Sequence, residues 1–125
     1  MKTIIICCIL CTAAITTFSQ TTEDSVKNVV NNLFAGMKQS DKAMLLNCFA
    51  DSAVLQTIAR TTNGKLVVKN ESIQNFASSI GKAVPGSLDE RISFNMIKID
   101  GDLASVWTPY SFYYNNIFSH CGVNS

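Results

Sequence analysis

From Leu88 to Ser125 the apolar residues stop recurring every three or four positions and begin to alternate, and this change of period limits what the chain can fold into. Ile92, Phe94 and Met96 alternate with Ser93 and Asn95. Gly101-Asp102 then turns the chain, and an aromatic strand runs from Leu103 to Tyr114. Asn115-Asn116 makes the next turn, into Phe118-Ser119-His120-Cys121-Gly122-Val123-Asn124-Ser125. A period of two belongs to strands with one buried face, and short Gly/Asn/Asp turns join such strands antiparallel. The expected product is a curved antiparallel meander carrying the chain's one histidine, His120, on one of its faces.

Upstream the period is helical. Val26, Val29, Val30, Leu33, Phe34 and Met37 form one stripe of a helix over 23–38, with Thr21 or Thr22 as its cap and Glu23 and Asp24 favoured at its positive end. Asp41 is placed to cap a short second helix through Met44, Leu45, Cys48 and Phe49. β-branched runs at 53–60 and 65–69 flank Asn63-Gly64, a hairpin signal. Asn70 or Ser72 then opens a third helix with Ile73, Phe76, Ala77 and Ile80 on one face, and Gly81 and Pro85-Gly86 follow it. Helices gathered ahead of an antiparallel sheet predict an α+β fold.

The first residues read as an export signal. Lys2 starts it, an apolar run extends over 4–15, no charge appears before Glu23, and Thr17 and Ser19 suit cleavage after Ser19. The apolar run is shorter than the roughly 20 residues a membrane-spanning helix requires. Losing 19 of 125 residues leaves one domain of 106, exported to the periplasm or beyond, with 9 basic residues against 9 acidic. Without a basic surplus the long-range attraction to phosphate backbones or anionic lipid is missing, so neither nucleic acid nor a membrane is an expected partner. Three of the five cysteines lie in the leader, and Cys48 and Cys121 remain. With one histidine they do not supply the four closely spaced ligands of a structural zinc site, and no metal or cofactor is expected.

The element order, the Phe49-Ala50-Asp51-Ser52-Ala53 junction, the 71–81 helix and the Gly101-Asp102-Leu103-Ala104 hairpin together resemble the nuclear-transport-factor-2-like superfamily. That superfamily also holds SnoaL-like cyclases, ketosteroid isomerases and scytalone dehydratase. Phe118-Ser119-His120-Cys121-Gly122-Val123 looks like a strand of its exported bacterial members. The resemblance implies a cone of three helices packed on a curved antiparallel sheet, with a ligand held between the helices and the concave face. Family members usually continue to a final Gly-Trp-Lys/Arg-Ile strand, so on this comparison the domain over 20–125 is expected to be C-terminally incomplete.

Strict alternation puts Phe118, His120, Gly122 and Asn124 on one side of the last strand and Ser119, Cys121, Val123 and Ser125 on the other. Trp107, Tyr110, Tyr113, His120 and Asn124 are the candidate ligand-binding residues, although alternation separates Trp107 and Tyr113 from Tyr110. Which face points inward is not legible. His120 is the candidate acid or base, but no carboxylate can be placed beside it to fix its tautomer, and no residue is assigned a catalytic role. The resemblance puts the isomerases' proton-abstracting aspartate near Gln56 and Thr57, neither of which is a carboxylate. The expectation is therefore an exported domain that binds an apolar or aromatic small molecule or serves a structural role, pairing as a homodimer through the convex sheet. The rivals are a SnoaL-like isomerase, dehydratase or hydrolase using His120, and a protein-interaction module.

Overall fold

The structure is a computed structural model and describes residues 21–125; the leader, its cleavage point and Cys7, Cys8 and Cys11 lie outside the described residues. Helix α1 (Thr22–Gln39) begins at a reciprocal cap. The Asp24 N–H donates to Thr21 Oγ1 at 3.1 Å and the Thr21 N–H to Asp24 Oδ2 at 3.3 Å, an arrangement that contributes about 1 kcal/mol. The helix stops at Ser40, whose φ of 56° is left-handed, and Asp41 at once caps α2 (Lys42–Leu46) by accepting the Met44 N–H at 2.9 Å. So tight a corner needs a small residue where the helices touch. A Cβ on Gly36 would lie 3.2 Å from Leu45 Cγ, closer than nearly all real contacts, which is why glycine sits inside α1.

Helix α3 (Ile73–Ile80) starts at Ser72, whose hydroxyl accepts the Asn75 N–H at 3.1 Å. Gly81 follows it at a right-handed φ of −63°, so it does not stop the helix by a left-handed turn. Its smallness instead admits Lys42, whose Cβ would be 3.2 Å from an added Cβ. Among the described residues the core lies at this three-helix junction: Leu45 fully buried, Met37 and Ala77 beside it, and Leu33, Phe34, Leu46, Phe76 and Ile80 around them.

Strands β1 (Leu55–Arg60) and β2 (Leu66–Glu71) form a separate hairpin. Only Gly64, at φ 83°, takes the left-handed conformation, and Asn63 does not. The Thr61 N–H donates to the Lys65 carbonyl, so the connection is a three-residue loop closed by glycine rather than a two-residue turn. One side of this hairpin leaves Ile58, Leu66 and Val68 exposed.

The main sheet is organised on β5 (Leu103–Tyr114). β3 (Leu88–Ile92) and β4 (Met96–Asp100) pair antiparallel with successive halves of one edge of β5, and β6 (Ile117–Asn124) pairs with the other. Gly101 (φ 56°) turns β4 into β5, and Asn115 and Asn116 (φ 50° and 64°) make the two-residue turn into β6. The expected α+β architecture, helices first and a meander last, is what the chain adopts.

Two details differ from strict alternation. Ile92 pairs with Tyr110 but Met96 with Trp107, so β3–β4 takes one residue more than β5 over the same span. This bulge puts Ile92 and Met96 on opposite faces, against the expectation that they share one. Its cause is Pro109. The Ser93 N–H donates to the Pro109 carbonyl, so the edge on which Pro109 has no N–H to give is the β3–β4 edge, and the partner strand loosens there. A second bulge lies in β6, where His120 pairs with Phe112 but Phe118 with Tyr113, leaving Ser119 as the extra residue.

The helical junction, not the β1–β2 hairpin, should therefore dominate stability. Leu45→Ala is expected to cost about 2–5 kcal/mol in urea denaturation, and Ile58→Ala, at a side chain 75% exposed, to stay within about 0.5 kcal/mol.

Candidate functional site

The bulges decide which side chains meet. On one face of β5, Thr108, Tyr110 and Phe112 stand opposite Asn124, Gly122 and His120 of β6, and Phe112 also stands opposite Glu90 of β3. The His120 ring lies 5.1 Å from that of Phe112 and edge-on to Tyr110 at 5.9 Å. Gly122 is glycine because Tyr110 lies across it: an added Cβ would be 2.7 Å from the Tyr110 hydroxyl oxygen and 2.9 Å from its ring.

This face is concave. Asn124 Nδ2 donates to Glu90 Oε1 at 2.7 Å, although β5 runs between their strands and their partners on it, Phe112 and Thr108, are about 13 Å apart at the usual rise. Two such side chains reach each other only if the sheet curls toward them. The face also turns toward α1. Val30, Leu33 and Phe34 from the helix stripe and Val106, Thr108 and Asn124 from the sheet line a cleft of about 350 Å³. A hollow of similar size at the β4–β5 turn, lined by Lys98, Asp100 and Leu103 among others, is a dip in one hairpin and includes none of these polar groups.

Electrostatically the two faces of β3 are opposites. Asp89, nearly buried, takes Lys38 Nζ at 3.1 Å on one oxygen and Arg91 Nε at 2.9 Å on the other. Burial alone would raise its pKa, but these two cations outweigh it and hold the carboxyl below its ordinary value. Glu90, half-buried on the concave face, appears in none of the ion pairs among the described residues. Burial pushes its carboxyl above the ordinary value, against the opposing pull of the Asn124 amide and the His120 charge. Burial also raises the Tyr110 hydroxyl, and the charges of Glu90 and Cys121 add to this.

Of the sequence candidates, Tyr110, His120 and Asn124 share this face, and of these Asn124 lines the cleft while Tyr110 and His120 do not. Trp107 and Tyr113 lie on the other face. Trp107 stands opposite Met96 on the convex face, and Tyr113 lies there between the Arg91 guanidinium, 3.9 Å from its ring, and Phe118 at 5.8 Å. Phe118, expected beside His120, is on that same convex face because Ser119 shifts the alternation. Cys121 faces away from His120 as expected, opposite Ser111, and Cys121 and Cys48 are both free thiols. The His120 ring is on the concave face but exposed, with Nδ1 3.1 Å from Ser119 Oγ, rather than enclosed in an apolar hollow. The carboxylate that sequence reasoning could not place near it is Glu90. Part of its signal was present: in Leu88-Asp89-Glu90-Arg91-Ile92 alternation puts the glutamate on the same face as the apolar Leu88 and Ile92.

No protein family's profile matches the chain, and no curated protein matches it. Among solved structures it is similar to an NTF2-like protein of unknown function from Shewanella baltica OS155, with a TM-score of 0.53 at 14% identity over 86% of this chain and 99% of that one. The fold is nuclear-transport-factor-2-like. Within it, the helix stripe and the curled sheet face each other across the cleft, and Glu90 and Asn124 join the strands on either side of β5.

The neighbours Asp89 and Glu90 should titrate with opposite signs. Asp89 contributes stability above its ordinary value of 3.8 that is lost as pH falls through its lowered one. Glu90 favours the fold while protonated, a contribution present below its ordinary value of 4.5 and lost as pH rises through its raised one. In melting curves against pH, Asp89→Asn should lower Tm at neutral pH and flatten the acid limb. Glu90→Gln should leave the acid limb and remove the decline just above pH 4.5. Equal losses from both at neutral pH would contradict the assignment.

Proposed function

We propose that this chain is an exported small-molecule-binding domain whose site is the cleft between α1 and the concave sheet face. The observation that carries the reading is the composition of the walls: Val30, Leu33, Phe34, Ala104 and Val106 are apolar, and the polar groups are Ser105, Thr108, Asn124 and Ser125, with Glu90 held behind Asn124 by a hydrogen bond. Ligand sites have this makeup, mostly apolar walls and a few placed hydrogen-bonding groups, and about 350 Å³ falls at the small end of their range. The expected ligand is correspondingly small, with an apolar or aromatic body. Export rests on the leader read from the sequence.

A second reading, acid–base catalysis on the same face, is favoured by one observation: the Glu90 carboxyl is within electrostatic reach of His120, on the same row across Phe112. His120→Ala would then abolish turnover of any compound the domain converts. Unchanged turnover would remove His120 from the chemistry.

Thermal-shift titration with small aromatic compounds tests the binding reading. A ligand present at about 100 times its Kd stabilises by about 2.7 kcal/mol, or roughly 4–8 °C for a domain of this size. Leu33→Trp, which fills the cleft from α1, should keep the fold by circular dichroism and lose the shift. The absence of a shift with every compound on the wild-type domain would contradict it.

A further inference from the structure

The hydrogen-bond inventory of the cleft is asymmetric. Thr108 is 3% exposed, and its hydroxyl donates to the Asn124 backbone carbonyl at 3.2 Å, so its oxygen retains only lone pairs for a ligand. Asn124 commits its amide nitrogen to Glu90, which orients the side chain and leaves the amide oxygen free. The acceptor on that nitrogen is a carboxylate. An amide polarised by a charged acceptor on its nitrogen is a stronger acceptor at its oxygen.

The charge inventory points the same way. A half-buried carboxylate is costly to hold without a cation, and Asp89, one residue away on the other face, shows the usual remedy with two of them. Glu90 has an amide in that place. Its one basic neighbour on the face, His120, is exposed to solvent, where its charge is screened. α1 lines the cleft only with Val30, Leu33 and Phe34, none of which brings a compensating charge.

We propose that the ligand of this cleft is a small organic cation, an ammonium group on an apolar or aromatic body, received by the Asn124 amide oxygen and the Thr108 hydroxyl oxygen with the Glu90 carboxylate as counter-charge. This rests on the cleft being a ligand site, as argued above. The ammonium supplies the charge Glu90 lacks, and the body occupies the apolar walls. Neutral isosteres keep the second interaction and lose the first.

The test compares three probes of matched shape at neutral pH: phenethylammonium, phenethyl alcohol and 3-phenylpropionate, titrated into the purified domain by thermal shift and by chemical-shift changes at Leu33 and Asn124. The expected order is ammonium at least about tenfold tighter than alcohol, with the anion not bound, since a charge-assisted hydrogen bond is roughly twice as strong as a neutral one. Glu90→Gln should lower ammonium affinity to that of the alcohol and leave the alcohol unchanged. Asn124→Leu, a second variant that keeps Glu90, should weaken both. Equal binding of ammonium and alcohol by the wild type, or an unaltered ammonium affinity in Glu90→Gln, would overturn the preference for cations while leaving a binding domain. No binding by any probe would overturn both readings.

Discussion

A β-bulge on each edge of β5 determines which side chains stand on each face of the main sheet. Between Ile92 and Met96 the paired strand takes an extra residue where Pro109 cannot donate, and at Ser119 β6 does the same. Each bulge bends its strand and increases the local twist. Together they curl the sheet until Glu90 and Asn124, on strands that do not pair with each other, reach hydrogen-bonding distance across the concave face. The same two residues of slack send Met96 and Phe118 to the convex face, where they stand opposite Trp107 and Tyr113.

The helical layer and the sheet are fastened at one end more than along their length. The Gly86 N–H donates to the Lys38 carbonyl at 2.6 Å, and Lys38 reaches Asp89, so the last turn of α1 is tied to the start of β3. The apolar core lies beside this point, at the α1–α2–α3 junction around Leu45. Farther along α1, Val30, Leu33 and Phe34 diverge from the sheet and the cleft opens. The two adjacent carboxylates differ accordingly: Asp89 is paired with Lys38 and Arg91, at the joint, and Glu90 is bonded to the Asn124 amide on the concave face.

Much of this was legible in the residues. The helix stripe of α1, the caps at Thr21, Asp41 and Ser72, the Asn115-Asn116 turn and the α+β order all follow from local patterns, because caps and turns are decided by a few neighbouring atoms. The concave face was only half legible. Tyr110, His120 and Asn124 share it; Trp107 and Tyr113 lie on the other face by plain alternation, and Phe118 joins them because one extra residue inverts the side chains beyond it. Pro109 inside an aromatic strand was the available sign of the first bulge; nothing in Phe118-Ser119-His120 marks the second. Glu90 was overlooked because its partner, Asn124, is remote in sequence and meets it only after the sheet curls.

The most direct measurement of this account is a nuclear Overhauser spectrum of the folded domain resolved at the His120 ring. Contacts from His120 to Phe112 and Tyr110, and from Phe118 to Tyr113, are what the bulged register predicts. Contacts between His120 and Phe118 would mean that β6 alternates without interruption, and the concave face assembled around Glu90 and Asn124 would not exist as described.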